Sequence, residues 1–394
     1  MNYIIRDQEK VLRRALQRGK SVLMLGPRQT GKTTLACQLD HNLHINFIRP
    51  DIRLRYEKEP GILAGEIEAL KAKSDQPITV ILDEVQKVPM ILDVVQDLID
   101  RQVATFILSG SSARKLRRHG QTNLLPGRVL TLRLDPFSIG ESIPASLEHR
   151  LLNGSLPGIE SIEDPRDCEM ELASYVTTYL EEEIRSEAVV RNLGPFARFL
   201  EYAAIDSGRI INAHKLSQEI GISNSTIRSY FQILEDCLII EPIDPITETQ
   251  TRKRLIRGRK YLFFDLGVRR IAAHEGKQLP KETLGHLFEQ FVGLELLRLG
   301  RCRCPIDRLK FWRDANGPEV DWVIESEQSL TPVEVKWTDT PTTRDVRHIH
   351  TFLNEYPQAS QGFIVCRIPR PMQLSQQVTA LPWQEIPFIL HREQ

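Results

Sequence analysis

The chain is 394 residues long, and its 52 lysines and arginines are balanced by 52 aspartates and glutamates. That balance excludes a global field drawing the protein to nucleic acid, so any basic surface has to be local. No run approaches the ~18 apolar residues of a membrane-spanning helix and the N-terminus lacks an apolar signal core, so no membrane contact and a soluble, cytoplasmic protein are expected. Of the six cysteines, only those in Cys302-Arg303-Cys304 lie close together, with no zinc-spaced partner, which reads as free thiols in a reducing cytosol. At roughly 150 residues per domain, two or three domains are expected.

The first predicted strand, Val22–Leu25, runs directly into Gly26-Pro27-Arg28-Gln29-Thr30-Gly31-Lys32-Thr33-Thr34, which fits G-x-x-x-x-G-K-[ST]. Leu35 to Leu39 then reads as the start of a helix. In that strand–loop–helix context the glycines let backbone N–H groups wrap a triphosphate. Lys32 reaches the outer phosphates, and Thr33 offers a hydroxyl to Mg²⁺. A nucleoside triphosphate with Mg²⁺ is the expected ligand.

Further strands are predicted at Ile45–Ile48, Ile78–Leu82, Thr105–Leu108 and Val129–Leu132. Their spacings suit crossover helices, so an α/β domain with a parallel sheet and helices on both faces is expected. Ile78–Leu82 ends in Asp83-Glu84. This strand is expected beside the one feeding the loop, with Asp83 in the Mg²⁺ shell and Glu84 polarising the attacking water. Thr105–Leu108 delivers Ser109-Gly110-Ser111-Ser112 to the same sheet edge. One of these serines, Ser111 foremost, is a candidate sensor of the γ-phosphate or the water; the competing reading is a helix N-cap on the segment from Ala113. Arg128 reads either as a finger reaching a γ-phosphate across a subunit interface, which requires an oligomer, or as a solvated arginine.

From about 165 to 245 the pattern is helical. Phe196, Phe199, Leu200 and Ala203 share one face, and Gly208 stops that helix. Ile210 to Phe231 has the cadence of a helix-turn-helix: Leu216 and Ile220 face inward, Gly221 makes the turn, and Ser223 caps a second helix with Ile227, Phe231 and Leu234 as its apolar stripe. Asn224, Ser225 and Arg228 at its start are types able to meet bases or phosphates. Leu238–Ile240 and Lys260–Phe264 read as strands of a wing. The stretch joining them, Arg252-Lys253-Arg254-Leu255-Ile256-Arg257-Gly258-Arg259-Lys260, is a local basic patch. DNA contact through these residues is the leading expectation. The alternative is a lid or protein contact with a merely solvated loop.

In the last third, strands are predicted at Lys310–Arg313, Val320–Ile324, Val333–Trp337 and Gly362–Arg367, with a helix near Arg344–Leu353. Period-two alternation puts Glu334 with Lys336 on one face of their strand and Glu319 with Asp321 on one face of theirs. If the two strands are neighbours, Asp321 and Glu334 converge beside Lys336. Such a pair can hold Mg²⁺ with the lysine orienting a water, and Glu289 on the preceding helix, Leu284–Leu296, is a further acid. The competing reading is alternating charge on half-exposed strands.

Taken together these landmarks resemble a widespread prokaryotic family of AAA-type P-loop ATPases with a C-terminal domain of unknown function, itself similar in fold to PD-(D/E)xK nucleases. Gly26 to Thr33, Leu82-Asp83-Glu84-Val85-Gln86, Leu108 to Ser112 and Tyr179 to Ile184 carry the resemblance in the first half. Phe263 to Val268, Phe311-Trp312-Arg313, Glu319-Val320-Asp321 and Val333-Glu334-Val335-Lys336 carry it in the second, with Val320-Asp321 where the nuclease family has Pro-Asp. The resemblance implies ATP binding and hydrolysis by an ATPase domain over 1–160, a winged helix-turn-helix module over 165–275 and a restriction-endonuclease-like domain over 280–394. Two functions follow as expectations: an ATP-driven machine engaging DNA, or an ATP-dependent switch binding protein partners with an inactive nuclease-like domain.

Overall fold

The computed structural model describes residues 3–74, 76–111, 125–144, 146–180, 193–247, 258–303, 306–314, 317–327 and 329–391. They gather into two compact units, Met1–Pro136 with Asp236–Ile239, and Phe137–Glu235 with Ile240–Gln394. Arg252, Lys253 and Arg254 lie outside the described residues.

The first unit is built on five strands: β1 (Ser21–Leu25), β2 (Leu43–Asn46), β3 (Ile78–Asp83), β4 (Ala104–Gly110) and β5 (Val129–Arg133). They form one parallel sheet in the order β2-β3-β4-β1-β5. The central strands are near-continuous apolar runs because both faces are covered. Leu23, Leu25, Val80, Leu82, Phe106 and Leu108 pack on one face with helices Ile62–Lys71 and Ile91–Asp100. Val22, Met24, Ile81 and Ile107 pack on the other with helices Asp7–Gln17 and Lys32–Cys37. The structure corrects one expectation: β3 does not neighbour β1, because β4 lies between them, pairing with both.

The second unit holds helices Leu193–Ile205, Ala213–Ile220 and Asn224–Asp236, then β6 (Ile240–Pro245) and β7 (Lys260–Phe263) as an antiparallel hairpin. Asn212 caps the second of these helices through the His214 and Lys215 N–H groups, and Gly221 ends it in the left-handed conformation at φ 79°. Phe199 and Phe231 meet edge to face, and Phe231 stacks on Tyr261 of β7 with ring centres 4.5 Å apart.

The hairpin is not a free wing. The far edge of β6 pairs with β8 (Arg308–Arg313), Asp244 opposite Lys310 and Pro245 opposite Phe311. One sheet therefore runs β12-β13-β11-β10-β9-β8-β6-β7 through both expected C-terminal modules. Its other members are β9 (Glu319–Glu325), β10 (Leu330–Val335), β11 (Gly362–Cys366), β12 (Met372–Ser375) and β13 (Val378–Pro382). The alternation along them splits the core: Phe311, Trp322, Val333 and Val365 meet helix Lys281–Arg301, whereas Trp312, Val323 and Ile364 meet helix Arg347–Glu355. Gly293 lets the long helix approach; a Cβ there would lie 2.6 Å from the Trp322 ring. No helix among the described residues is long and apolar enough to cross a membrane.

Candidate functional site

The phosphate loop leaves β1 at Gly26, whose Cα hydrogens face the Leu134 carbonyl so closely that a Cβ would lie 2.2 Å from its oxygen. Gln29 at φ 62° and Gly31 at φ 91° take the left-handed conformation and curl the loop before helix Lys32–Cys37 begins. Thr30 is fully buried and donates its hydroxyl to the Pro27 carbonyl at 2.9 Å, locking the curl. Lys32 is buried, its ammonium donating to the carbonyls of Gly26 at 2.9 Å and Pro27 at 2.8 Å. Arg28 is half-buried, and Gln29 and Thr34 are exposed.

Asp83 ends β3, and the Thr33 hydroxyl donates to its Oδ2 at 2.7 Å. The contact crosses the intervening strand because β4 ends in Ser109-Gly110, side chains small enough to let the two meet. Ser109 itself donates to Asp83 Oδ1, and Asn46, opposite Asp83 in register, donates to Oδ2 at 3.3 Å. Glu84 sits at φ 60°, ψ 46°, a costly conformation for a non-glycine residue. Its backbone N–H is held by the Ser109 hydroxyl at 3.3 Å, and its carboxylate accepts from the Gln86 amide, which also donates to Ser111 at 3.0 Å. The candidate base and sensor are thus joined through one amide, and Glu84, Gln86 and Ser111 are all buried.

Three members of this site are given no role by the sequence patterns: Asn46, Gln86 and Arg6. The signal for Gln86 is its place two residues past Glu84; Asn46 ends a strand that pairs with β3. Arg6 carries no local signal. Its buried guanidinium donates to the Thr30 carbonyl at 2.7 Å and the Asp135 carbonyl at 2.6 Å, tying the back of the phosphate loop to the exit of β5. Arg128 is elsewhere. It precedes β5 at the sheet end opposite the loop and makes a two-pronged pair with Asp100 at 2.7 and 2.9 Å.

In the second unit, Asn224, Ser225 and Arg228 are all exposed at the start of their helix. Asn224 lies 3.3 Å from the His214 ring, and the Ser223 hydroxyl caps the Thr226 N–H at 3.1 Å. The described end of the basic stretch behaves otherwise: Arg259 pairs with Asp244 at 2.6 Å and Lys260 turns inward.

β9 and β10 are antiparallel neighbours, so Asp321 and Glu334 do share a locality. Asp321 accepts the Val335 N–H at 2.8 Å, and Lys336, one residue past β10, pairs with Glu334 at 2.7 Å. Burial, then the charges of Glu334 and Glu289, push the Asp321 carboxyl well above its usual range. Burial also raises Glu334 despite Lys336. Burial works against the Lys336 ammonium too, but Glu334 and Asp321 outweigh it and raise that group. Glu289 goes the other way: burial would raise it, yet the Lys260 charge dominates and holds it down at about 2. The three carboxylates of the expected set stand near enough for the charges of Glu334 and Glu289 to act on Asp321. Glu289 is engaged by Lys260, and no group of three or more His, Cys, Asp or Glu side chains among the described residues could hold a metal ion.

Residues 18–143 match the family described as an AAA domain. Residues 144–278 and 284–386 match two domains of unknown function, DUF8612 and DUF4143. Uncharacterized proteins of Mycobacterium bovis and Mycobacterium tuberculosis are each 26% identical over 393 residues, covering 97% of this chain and 84% of the relative. Among solved structures, the chain is similar to Drosophila ORC bound to AT-rich DNA and Cdc6, at 10% identity and a TM-score of 0.26 over 66% of this chain and 88% of that one. It is also similar to the Pif1 helicase from Candida albicans, at 16% identity and a TM-score of 0.23 over 45% and 48%. The phosphate loop and its hydroxyl–carboxylate contact with the end of β3 both lie within residues 18–143, the stretch that matches the AAA domain and supports an ATPase of the AAA type.

Proposed function

We propose that the chain is a Mg²⁺-dependent ATPase whose nucleotide state governs engagement of DNA by the helix-turn-helix of the second unit. The observation that carries the ATPase reading is the 2.7 Å contact between Thr33 and Asp83. A hydroxyl from the loop and a carboxylate from β3 meet at one point, the donor set that a nucleotide-bound Mg²⁺ takes. Bound Mg²⁺ would neutralise charge building on the phosphates. Lys32 exchanges the Gly26 and Pro27 carbonyls for phosphate oxygens. Glu84, once its carboxylate leaves the Gln86 amide, accepts the proton of the water that attacks the γ-phosphorus as the bond to the leaving diphosphate oxygen breaks. Ser111, bonded to that same amide, reports the event to the end of β4.

DNA engagement rests on Asn224, Ser225 and Arg228, exposed together at a capped helix start, and on Arg252, Lys253 and Arg254. A second reading, a protein-binding switch with a catalytically inert C-terminal domain, is favoured by the occupation of Glu289 by Lys260. ATP turnover measured with and without duplex DNA separates the two. Stimulation supports the DNA-engaging ATPase, and a rate indifferent to DNA supports the switch.

A further inference from the structure

Lys260 stands on β7, at the end of a stretch whose sequence is rich in basic residues, and its side chain is only 12% exposed. Its ammonium is 3.0 Å from Glu289 Oε1, 4.8 Å from the centre of the Trp322 ring and 5.1 Å from that of Phe311. The Trp322 indole N–H donates to the Glu289 backbone carbonyl at 3.0 Å, so the ring that shelters the lysine is fastened to the residue that neutralises it. His286 closes the other side of Glu289 at 3.9 Å.

A carboxylate and two aromatic faces form a complete set of partners for one ammonium ion, since ring faces attract cations that have shed water. They are a poor set for Mg²⁺, which requires about six oxygen ligands and gives up water reluctantly. Of the neighbouring carboxylate oxygens, Asp321 Oδ2 accepts the Val335 N–H and Glu334 Oε1 holds Lys336, while Glu334 Oε2 is buried with no hydrogen-bond partner.

We propose that Lys260 is the resident cation of this cluster, a built-in ammonium occupying at Glu289 the place where a nuclease-like reading puts a divalent metal. The hairpin thereby closes the acidic site of the sheet to which it is joined. This inference stands on the second unit alone and is independent of the ATPase reading.

The test is calorimetric titration of the full chain with Mn²⁺, with excess EDTA-treated nucleotide-free protein as the starting state. Wild type and Lys260→Arg should show no binding that depends on Glu289. Lys260→Gln should gain a Mn²⁺ site that disappears in Lys260→Gln/Glu289→Gln. Glu289-dependent Mn²⁺ binding by wild type, or no gain in Lys260→Gln, overturns the proposal. Glu289→Gln in EDTA supplies a measurement that survives misfolding of the lysine variant. An internal ion pair requires this substitution to lower Tm by several degrees, because a buried ammonium loses its counter-charge. A metal site emptied of its ion requires the reverse, because repulsion among carboxylates is relieved, and a raised Tm would overturn the proposal.

Discussion

The Lys32 ammonium, held by the Gly26 and Pro27 carbonyls, is the cation proposed to meet the outer phosphates. Lys32→Ala removes a charged donor worth roughly 1.5–3 kcal/mol, so Mg-ATP affinity is expected to fall about 10²-fold in a nucleotide titration. Glu84→Gln should keep that affinity and slow turnover by ~10² or more, the scale of a missing general base; hydrolysis at the wild-type rate would remove Glu84 from the role. Arg6 holds the Thr30 carbonyl of the loop, and a positioning role is proposed for it. Arg6→Met leaves the Thr30 and Asp135 carbonyls without that donor and should raise KM for ATP about tenfold, with kcat much less affected and partial recovery in Arg6→Lys. Asp321 gives a pH prediction. Its folded carboxyl is raised above the usual 3.8, so as pH rises past that value the unfolded chain releases a proton that the native state keeps, and stability falls. Asp321→Asn should therefore raise Tm at pH 8 and have little effect at pH 4; a pH-independent difference would contradict this.

At the scale of elements, the two helices Ala213–Ile220 and Asn224–Asp236 are legible because each rule agrees with the next: Asn212 caps, Gly221 turns, Ser223 caps again, and the apolar stripe faces the Phe199–Tyr230 core. If this element meets phosphates, Arg228→Ala should reduce the slope of log affinity against log salt by about one unit, and neutralising Arg252, Lys253 and Arg254 by about three. An unchanged slope in both would move DNA contact away from this module. The hairpin that follows was less legible. The expected strand at Lys260–Phe264 is β7, whereas the one at Leu238–Ile240 stops short of β6, which runs Ile240–Pro245, and nothing local says that the second edge of β6 belongs to β8, since pairing across more than sixty residues is set by which edge is left uncovered.

At the scale of the whole molecule, the first and second units each form around their own sheet, and the proposed coupling between nucleotide and DNA predicts ATP turnover stimulated by duplex. Arg128 belongs to the same question. Paired with Asp100 at the sheet end opposite its own loop, it is expected to leave the rate of dilute protein within about twofold when changed to Ala, as an exposed ion pair should. A ~10³-fold loss appearing only as protein concentration rises would instead assign it to a neighbouring subunit's nucleotide.

Legible along the chain are the phosphate loop, the strand that ends at Asp83, the two helices about Gly221 and the spacing that brings Lys336 onto Glu334. Each depends on residues a few positions apart, whose spacing on a strand, turn or helix is fixed by covalent geometry. Tertiary structure alone decided that β4 would separate β1 from β3 while Thr33 still reaches Asp83, and that Arg6 would brace Thr30 from 24 residues away. It alone turned Lys260 from a surface charge into the partner of Glu289. Those outcomes follow from sheet order and burial, which bring together groups distant in the chain and leave a charge that has lost water only the partners that packing supplies.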